Sequence, residues 1–240
     1  MSAPSGLSND AQSLYSLATT ASLTAQLIKR GMRTRAIANI APVNANTPRL
    51  FGPAYTLRYI PMREDLGVGA AMADPENPQR KAIEVTPPGH VLIADTHGMD
   101  VSGTFGDILV ARLRVRGVAG IVSDGPMRDI AELRRMDFPV FACGNAAPPS
   151  YASMIAVDAQ VPIACGGVAV FPGDIIIGDA DGIVVLPAAI AEEVARDAAE
   201  QDRIEAYIRQ RIENGDSIVG VYPPNAQTQA DYKAWLATRT

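Results

Sequence analysis

Cysteine and histidine are scarce. Only Cys143, Cys165, His90 and His97 stand in 240 residues. The cysteines form no C-x-x-C pair, which argues against a structural zinc site. An excess of positive charge is also missing. The 21 Lys and Arg against 26 Asp and Glu leave a net charge of −5, so no overall basic field draws nucleic acid or an anionic membrane. The basic runs, "LRRM" and "RLRVRG", are short and helical in character. No uninterrupted apolar run nears the roughly 18 residues of a membrane span. The start, "MSAPSGLSND", is polar and lacks the apolar segment of a secretory leader. With so few cysteines, the expected compartment is a reducing cytoplasm. Also absent are G-x-S-x-G, a phosphate-binding P-loop, and a lysine in an apolar setting suited to a Schiff base.

What is present is ordinary in bulk and specific in places. Hydrophobic residues make up 48% and charged residues 20%, as in a globular protein with a substantial core. A helix is predicted over 10–30, capped by Asn9, with Leu14, Leu17, Ala18 and Ala21 at helical spacing. A Pro-, Asn- and Gly-rich stretch follows. It leads to a strand around Ala54 to Tyr59, and "ADPENPQRKAIEVTPPG" reads as loop, short helix and turn.

The rhythm then changes. "HVLIAD", "VAGIVSD" and "FPVFACG" are short apolar strands separated by the helical segments "SGTFGDILVARLRVRG" and "RDIAELRRMD". This β-α-β-α-β order implies parallel strands covered by helices. From Ser153 to Pro187 the chain reads as all-β. A long helix is predicted from about Ala188 to Asn214, with Ile204, Ile208 and Ile212 in a stripe, and the tail reads as extended prolines followed by one helical turn carrying Trp235. The expected fold class is α/β, in a single domain over 1–240 with its core at about 50–217 and a tail over 218–240.

The chemistry gathers in two places. "SGTFGD", Ser102 to Asp107, opens a helix whose free amides and dipole favour an anion; the alternative is an ordinary glycine turn. "SDGPMRDI", Ser123 to Ile130, joins a strand to a helix at the edge where parallel α/β units bind ligands. Arg128 can grip a carboxylate with both arms of its guanidinium. Asp129 can ligate Mg²⁺, which uses one or two carboxylates and keeps several waters. Alternatively, Asp129 merely starts the helix and Arg128 is its surface partner. Twenty residues separate Asp107 from Arg128, and adjacent strand ends lie about 5 Å apart, so Asp107, Arg128 and Asp129 converge on the expected fold. Asp124 either orients that site or locks its turn. His97 is an acid–base group or a structural one. Asp174, Asp179 and Asp181 read as turn formers.

The run "GTFGDILVARLRVRGVAGIVSDGPMRDIAELRRMDFPVFA", with its D-x20-R-D spacing, resembles the RraA-like family. So do "FPGDIIIGDADGIVVLP" and the helix ending "EAYIRQRIENGD". That family includes divalent-metal-dependent 4-hydroxy-4-methyl-2-oxoglutarate aldolases and oxaloacetate decarboxylases. The resemblance implies a layered β/β/α swivelling-domain-like fold, with the short parallel β-α-β-α-β section and the long C-terminal helix within it. It implies homotrimers or homohexamers with active sites at subunit interfaces. It assigns the metal, Mg²⁺ or Mn²⁺, to Asp129, the 2-oxo acid and its enolate to Arg128, and a catalytic place beside them to Asp107. Gly106 and the amides of Ile108 and Leu109 would bind the substrate carboxylate. Glu205 matches a catalytic glutamate lent by a neighbouring subunit; its alternative is an i, i+4 pair with Arg209. The implied partner is a small 2-oxo acid, with neither nucleic acid nor membrane. Two other roles stay open. Family members inhibit ribonuclease E by protein contact, and a sugar-derived oxo acid is a further possible substrate.

Overall fold

A computed structural model describes residues 9–44, 49–66 and 74–238. The polar start and the side chain of Asn9, read above as a cap, lie outside the described residues. Strands β1 (Ala36–Ile37), β2 (Ala41–Pro42), β3 (Leu50–Pro61), β4 (Val91–Asp95), β5 (Gly120–Ser123), β6 (Val140–Ala142), β7 (Met154–Ala159), β10 (Ile175–Asp179) and β11 (Gly182–Leu186) share one mixed sheet. Strands β8 (Ile163–Cys165) and β9 (Val168–Val170) form a separate hairpin. The helices are α1 (Asn9–Leu17), α2 (Thr20–Lys29), α3 (Pro78–Val85), α4 (Asp107–Val115), α5 (Ile130–Leu133), α6 (Ala191–Glu213) and α7 (Ala226–Ala237).

At the centre β3, β4, β5 and β6 run parallel, each hydrogen-bonded to the next. Every residue of β4 and β5 is buried, as expected of parallel strands covered on both faces. On one face Leu92, Ala94 and Ile121 pack under Ile83 of α3 and Val110 and Leu113 of α4. On the other, Val91, Ile93 and Val122 meet Ile163 and Cys165 of the hairpin. The long strand β3 joins the halves of the sheet: Leu50 to Pro53 pair antiparallel with β10, and Ala54 to Arg58 parallel with β4. Beyond β10 and β11, Ile177 and Leu186 pack against Tyr15, Leu23 and Leu27 of the N-terminal helices and Val194 and Ala198 of α6. The layered α/β architecture and the long helix are those expected from the sequence. No helix among the described residues is long and apolar enough to cross a membrane.

Three elements depart from expectation. The N-terminal helix is broken between Leu17 and Thr20. Asp202 of α6 accepts from Thr19 N (2.8 Å), and Asp179 of β10 accepts from Thr20 N (2.8 Å) and Thr20 Oγ1 (2.6 Å). These carboxylates take amides at the joint, and Thr19 caps α2 through Ser22 N. The "RDIAELRRMD" helix is only the single turn of α5. The tail is longer than one turn: α7 has 12 residues, capped by Asn225, and docks on α6. The rings of Tyr207, Tyr232 and Trp235 meet there at 5.3–6.1 Å between centroids.

Candidate active site

The ends of β4 and β5 are laced together by buried polar groups. Asp124 Oδ1 accepts from Thr96 N (2.6 Å) and Thr96 Oγ1 (2.9 Å), and its Oδ2 accepts from Gly166 N (3.0 Å) in the β8–β9 turn. Asp95 does the same work one strand over, accepting from His97 N and Ala164 N. Asp124 thus locks its turn. Two loops then cross. Thr104 N donates to Pro126 O (2.7 Å) and Arg128 N to Phe105 O (2.9 Å). A side chain on Gly125 would come within 2.8 Å of both Thr96 Oγ1 and Thr104 Oγ1, so only glycine fits that crossing.

This lacing brings "GTFGD" and "RD" to one cleft of about 240 Å³. Gly106, which precedes α4, and Asp107, Ile108 and Leu109 of its first turn line it, with Arg128 and Asp129 from the next turn. A side chain on Gly103 would overlap Arg128 Cγ, and one on Gly106 would overlap Asp129 Oδ2. The two glycines make room for the two charged side chains.

Asp129 holds a left-handed backbone, φ 54° and ψ 39°, a conformation Asp tolerates at a cost of about 1 kcal/mol or more. It precedes α5, yet its carboxylate does not cap that helix. Arg128 forms no ion pair among the described residues. Asp129 thus stands at the start of α5, as the first alternative had it, with its main-chain carbonyl accepting from Glu132 N and Leu133 N, but its carboxylate is not spent on that helix. The second alternative, a surface ion pair, is not found among the described residues. At the start of α4 the first-turn amides have no partner within the helix. Ile108 N donates to Asp107 Oδ1 (2.8 Å), so of the two amides assigned to a substrate carboxylate, one is already engaged.

A metal can be weighed against this donor set. Among the described residues no three or more His, Cys, Asp or Glu gather as a cage. Asp129 and Asp107 share the cleft. One or two carboxylates in a wet cleft do not suit a structural zinc, but they fit Mg²⁺ or Mn²⁺, whose remaining positions water fills.

Other residues singled out by sequence lie elsewhere. Glu205 lines a different groove, on α6, where its Oε1 accepts from Gln201 Nε2 (2.9 Å) rather than pairing with Arg209. His97 is exposed, with a left-handed backbone, and does not line the cleft. Asp174 accepts from Phe171 N and Asp179 from Asp181 N, as turn formers do; Asp179 also holds Thr20. Sequence reasoning missed Gln79, Arg80 and Tyr151, which line the same cleft. The Asn77-Pro78 start of α3 was a readable signal for the helix, though not for the direction its residues face.

The family described as RraA-like, Aldolase/RraA, matches residues 20–185. A protein of Halalkalibacterium halodurans, provisionally named a 4-hydroxy-4-methyl-2-oxoglutarate aldolase, is 33% identical over 168 residues, 70% of this chain and 73% of that protein. An uncharacterized protein of Pseudomonas syringae pv. tomato has a similar structure, with a TM-score of 0.77 and 25% identity over 90% of this chain and 98% of that one. RraAS2 of Streptomyces coelicolor, described as an unusual member of the RNase ES inhibitor RraA protein family, superposes with a TM-score of 0.71 and 29% identity over 87% of this chain and 98% of that one.

Proposed function

This chain belongs to the RraA-like family, and from that premise we propose that it is a divalent-metal-dependent lyase releasing pyruvate from a 2-oxo acid. The reaction is retro-aldol cleavage of a 4-hydroxy-2-oxo acid, decarboxylation of oxaloacetate, or both. The observation that carries this reading is the shared cleft: Arg128 and Asp129, displayed against two glycines, face Asp107 and the amino end of α4.

Both reactions break the bond between C3 and C4 and leave its electron pair as a pyruvate enolate. Arg128 is a fixed positive charge where that anion develops, and such contacts are each worth about 10²–10³ in rate. The open amide of Leu109 and the positive end of α4 hold the substrate's C1 carboxylate. The Ile108 amide shares its proton between that carboxylate and Asp107 Oδ1. In the retro-aldol direction the 4-hydroxyl proton is taken up at the other oxygen of Asp107, directly or through water, and is returned from Asp107 to C3 to give pyruvate. In the decarboxylation C3 takes its proton from water. Asp129, with Asp107 beside it, would hold Mg²⁺ or Mn²⁺, which when bound polarises the 2-oxo group as a Lewis acid. Glu205 lies outside its own chain's cleft, so on this reading it serves a neighbouring copy in a trimer or hexamer.

The test is pyruvate release from oxaloacetate and from 4-hydroxy-4-methyl-2-oxoglutarate, with Mg²⁺, with Mn²⁺ and with EDTA. Turnover should require the cation, and Arg128→Ala and Asp129→Ala should each lower it by at least about 10²-fold. No metal-dependent turnover on either acid would sink the proposal. It would leave the ribonuclease-binding role of the Streptomyces relative's family as the reading to pursue.

A further inference from the structure

One more fixed polar group lines the cleft, and the reaction above does not use it. Gln79 lies in the first turn of α3, where Asn77 Oδ1 accepts from its main-chain N–H (3.0 Å). The residue is only 2% exposed, yet it lines the cleft. Gln79 Nε2 donates to Thr104 O (2.8 Å). A carbonyl can only accept, so that bond decides which way round the amide lies. Thr104 is itself held, since its N–H donates to Pro126 O (2.7 Å) and Arg128 N donates to the neighbouring Phe105 O (2.9 Å). The amide is therefore pinned at its nitrogen end to the loop that carries Gly103 and Gly106.

The oxygen end is open. No donor among the described residues reaches Gln79 Oε1, and that oxygen is not sealed off. A side-chain oxygen on so buried a residue rarely goes without a partner. Since Gln79 lines the cleft, the missing donor belongs to whatever fills the cleft. One rival donor is the Tyr59 phenol, fully buried beside Gln79, but its hydroxyl has no partner at hydrogen-bonding geometry.

The occupant must bring a donor. The carboxylate and the 2-oxo group of a 2-oxo acid only accept, and the 4-hydroxyl proton goes to Asp107. A second carboxylate facing Oε1 would be repelled. A further hydroxyl, on the carbon beyond C4, suits the position. It donates to Gln79 Oε1, and its oxygen can accept from Arg80, the next residue of the same turn, which also lines the cleft. An acceptor beside a donor is the pattern that an alcohol satisfies on both sides.

We propose that Gln79 is a specificity-determining residue, selecting 4-hydroxy-2-oxo acids that carry a second hydroxyl at C5, as sugar-derived acids do. This rests on the lyase reading for the near end of the acid and adds the choice at C5. A site built to hydrogen-bond a hydroxyl rejects the analogue that lacks it, because its own polar group is left unpaired.

The test compares 4,5-dihydroxy-2-oxopentanoate with 4-hydroxy-2-oxopentanoate, which differ only in that hydroxyl, each counted as the open-chain fraction seen by NMR. With Mg²⁺, wild-type kcat/KM for pyruvate release should favour the dihydroxy acid by about tenfold, the scale of one hydrogen bond. Gln79→Met, similar in volume but without the amide, should erase that preference. Damage transmitted through Thr104 would slow both acids alike, so the ratio and not the rate reports on Oε1. Tyr59→Phe should leave the ratio unchanged. The 5-methoxy analogue accepts but cannot donate, and needs no variant; it should behave like the acid without the hydroxyl. No preference in the wild type would leave Oε1 to a water and overturn the assignment. So would a preference that survives Gln79→Met, one lost in Tyr59→Phe, or one shared by the 5-methoxy acid. If neither acid releases pyruvate, calorimetric titration decides. The same preference in affinity would defeat the lyase reading and leave Gln79's role standing, whereas equal affinities or no binding would overturn both.

Discussion

Asp129 Oδ2 occupies the space that a side chain on Gly106 would need. The backbone at Gly106 is extended, φ −111° and ψ 177°, so alanine meets no conformational penalty there. The clash is with the free end of a short side chain, which can swing aside. Gly106→Ala should therefore keep its Tm within a few degrees of wild type and displace the carboxylate from its post. Pyruvate release should fall by at least about tenfold, with the half-saturating Mg²⁺ concentration raised. Wild-type turnover and cation dependence would remove Asp129 from the site.

Asp124 is the opposite case, a carboxylate used for structure. It is buried and accepts from Thr96 N, Thr96 Oγ1 and Gly166 N with both oxygens. Asparagine keeps the shape but must turn an NH₂ toward one of these donors. The expected cost of Asp124→Asn is about 2–3 kcal/mol, visible as a Tm lower by roughly 5–10 °C in thermal denaturation. An unchanged Tm would mean that the lacing of β4 to β5 does not depend on that charge.

Both thiols are held in their unreactive form. Burial pushes the Cys165 thiol well up, and the negative charges of Asp124 and Asp95 push it the same way. Burial also raises Cys143, which is only partly enclosed. A raised thiol pKa leaves less thiolate at any given pH, and thiolate is the form that reacts. Native protein at pH 8 should therefore be alkylated slowly by iodoacetamide at Cys143 and not at Cys165, with both labelled in urea. Peptide masses decide this, and rapid native labelling of Cys165 would show that the hairpin opens over β4.

Much of the fold is legible because local chemistry and tertiary need agree. The runs "HVLIAD" and "VAGIVSD" are continuously apolar because β4 and β5 are covered on both faces. Once those strands are parallel, Asp107 and Arg128 must come from neighbouring strand ends, so the D-x20-R-D spacing could be read as convergence. The break at Thr19 was not legible. It depends on Asp179 and Asp202, acids from elements far along the chain that take amides a helix would otherwise keep. The tail helix was hidden for a related reason. Its apolar residues pack against Ile204, Tyr207, Ile208 and Ile212 of α6 and against Val221.

The sequence by itself determined the order of the central elements and the pair of residues that face the cleft. Those follow from backbone geometry and from spacing along one strand–helix repeat. Tertiary structure alone decided what those charges meet. Arg112 of α4 claims Glu84 of α3. Glu205 is carried away to another groove. Asp129's carboxylate is turned from its own helix toward Gly106. Each is a competition among charged groups for partners brought close by folding, and chain order holds no record of which one wins.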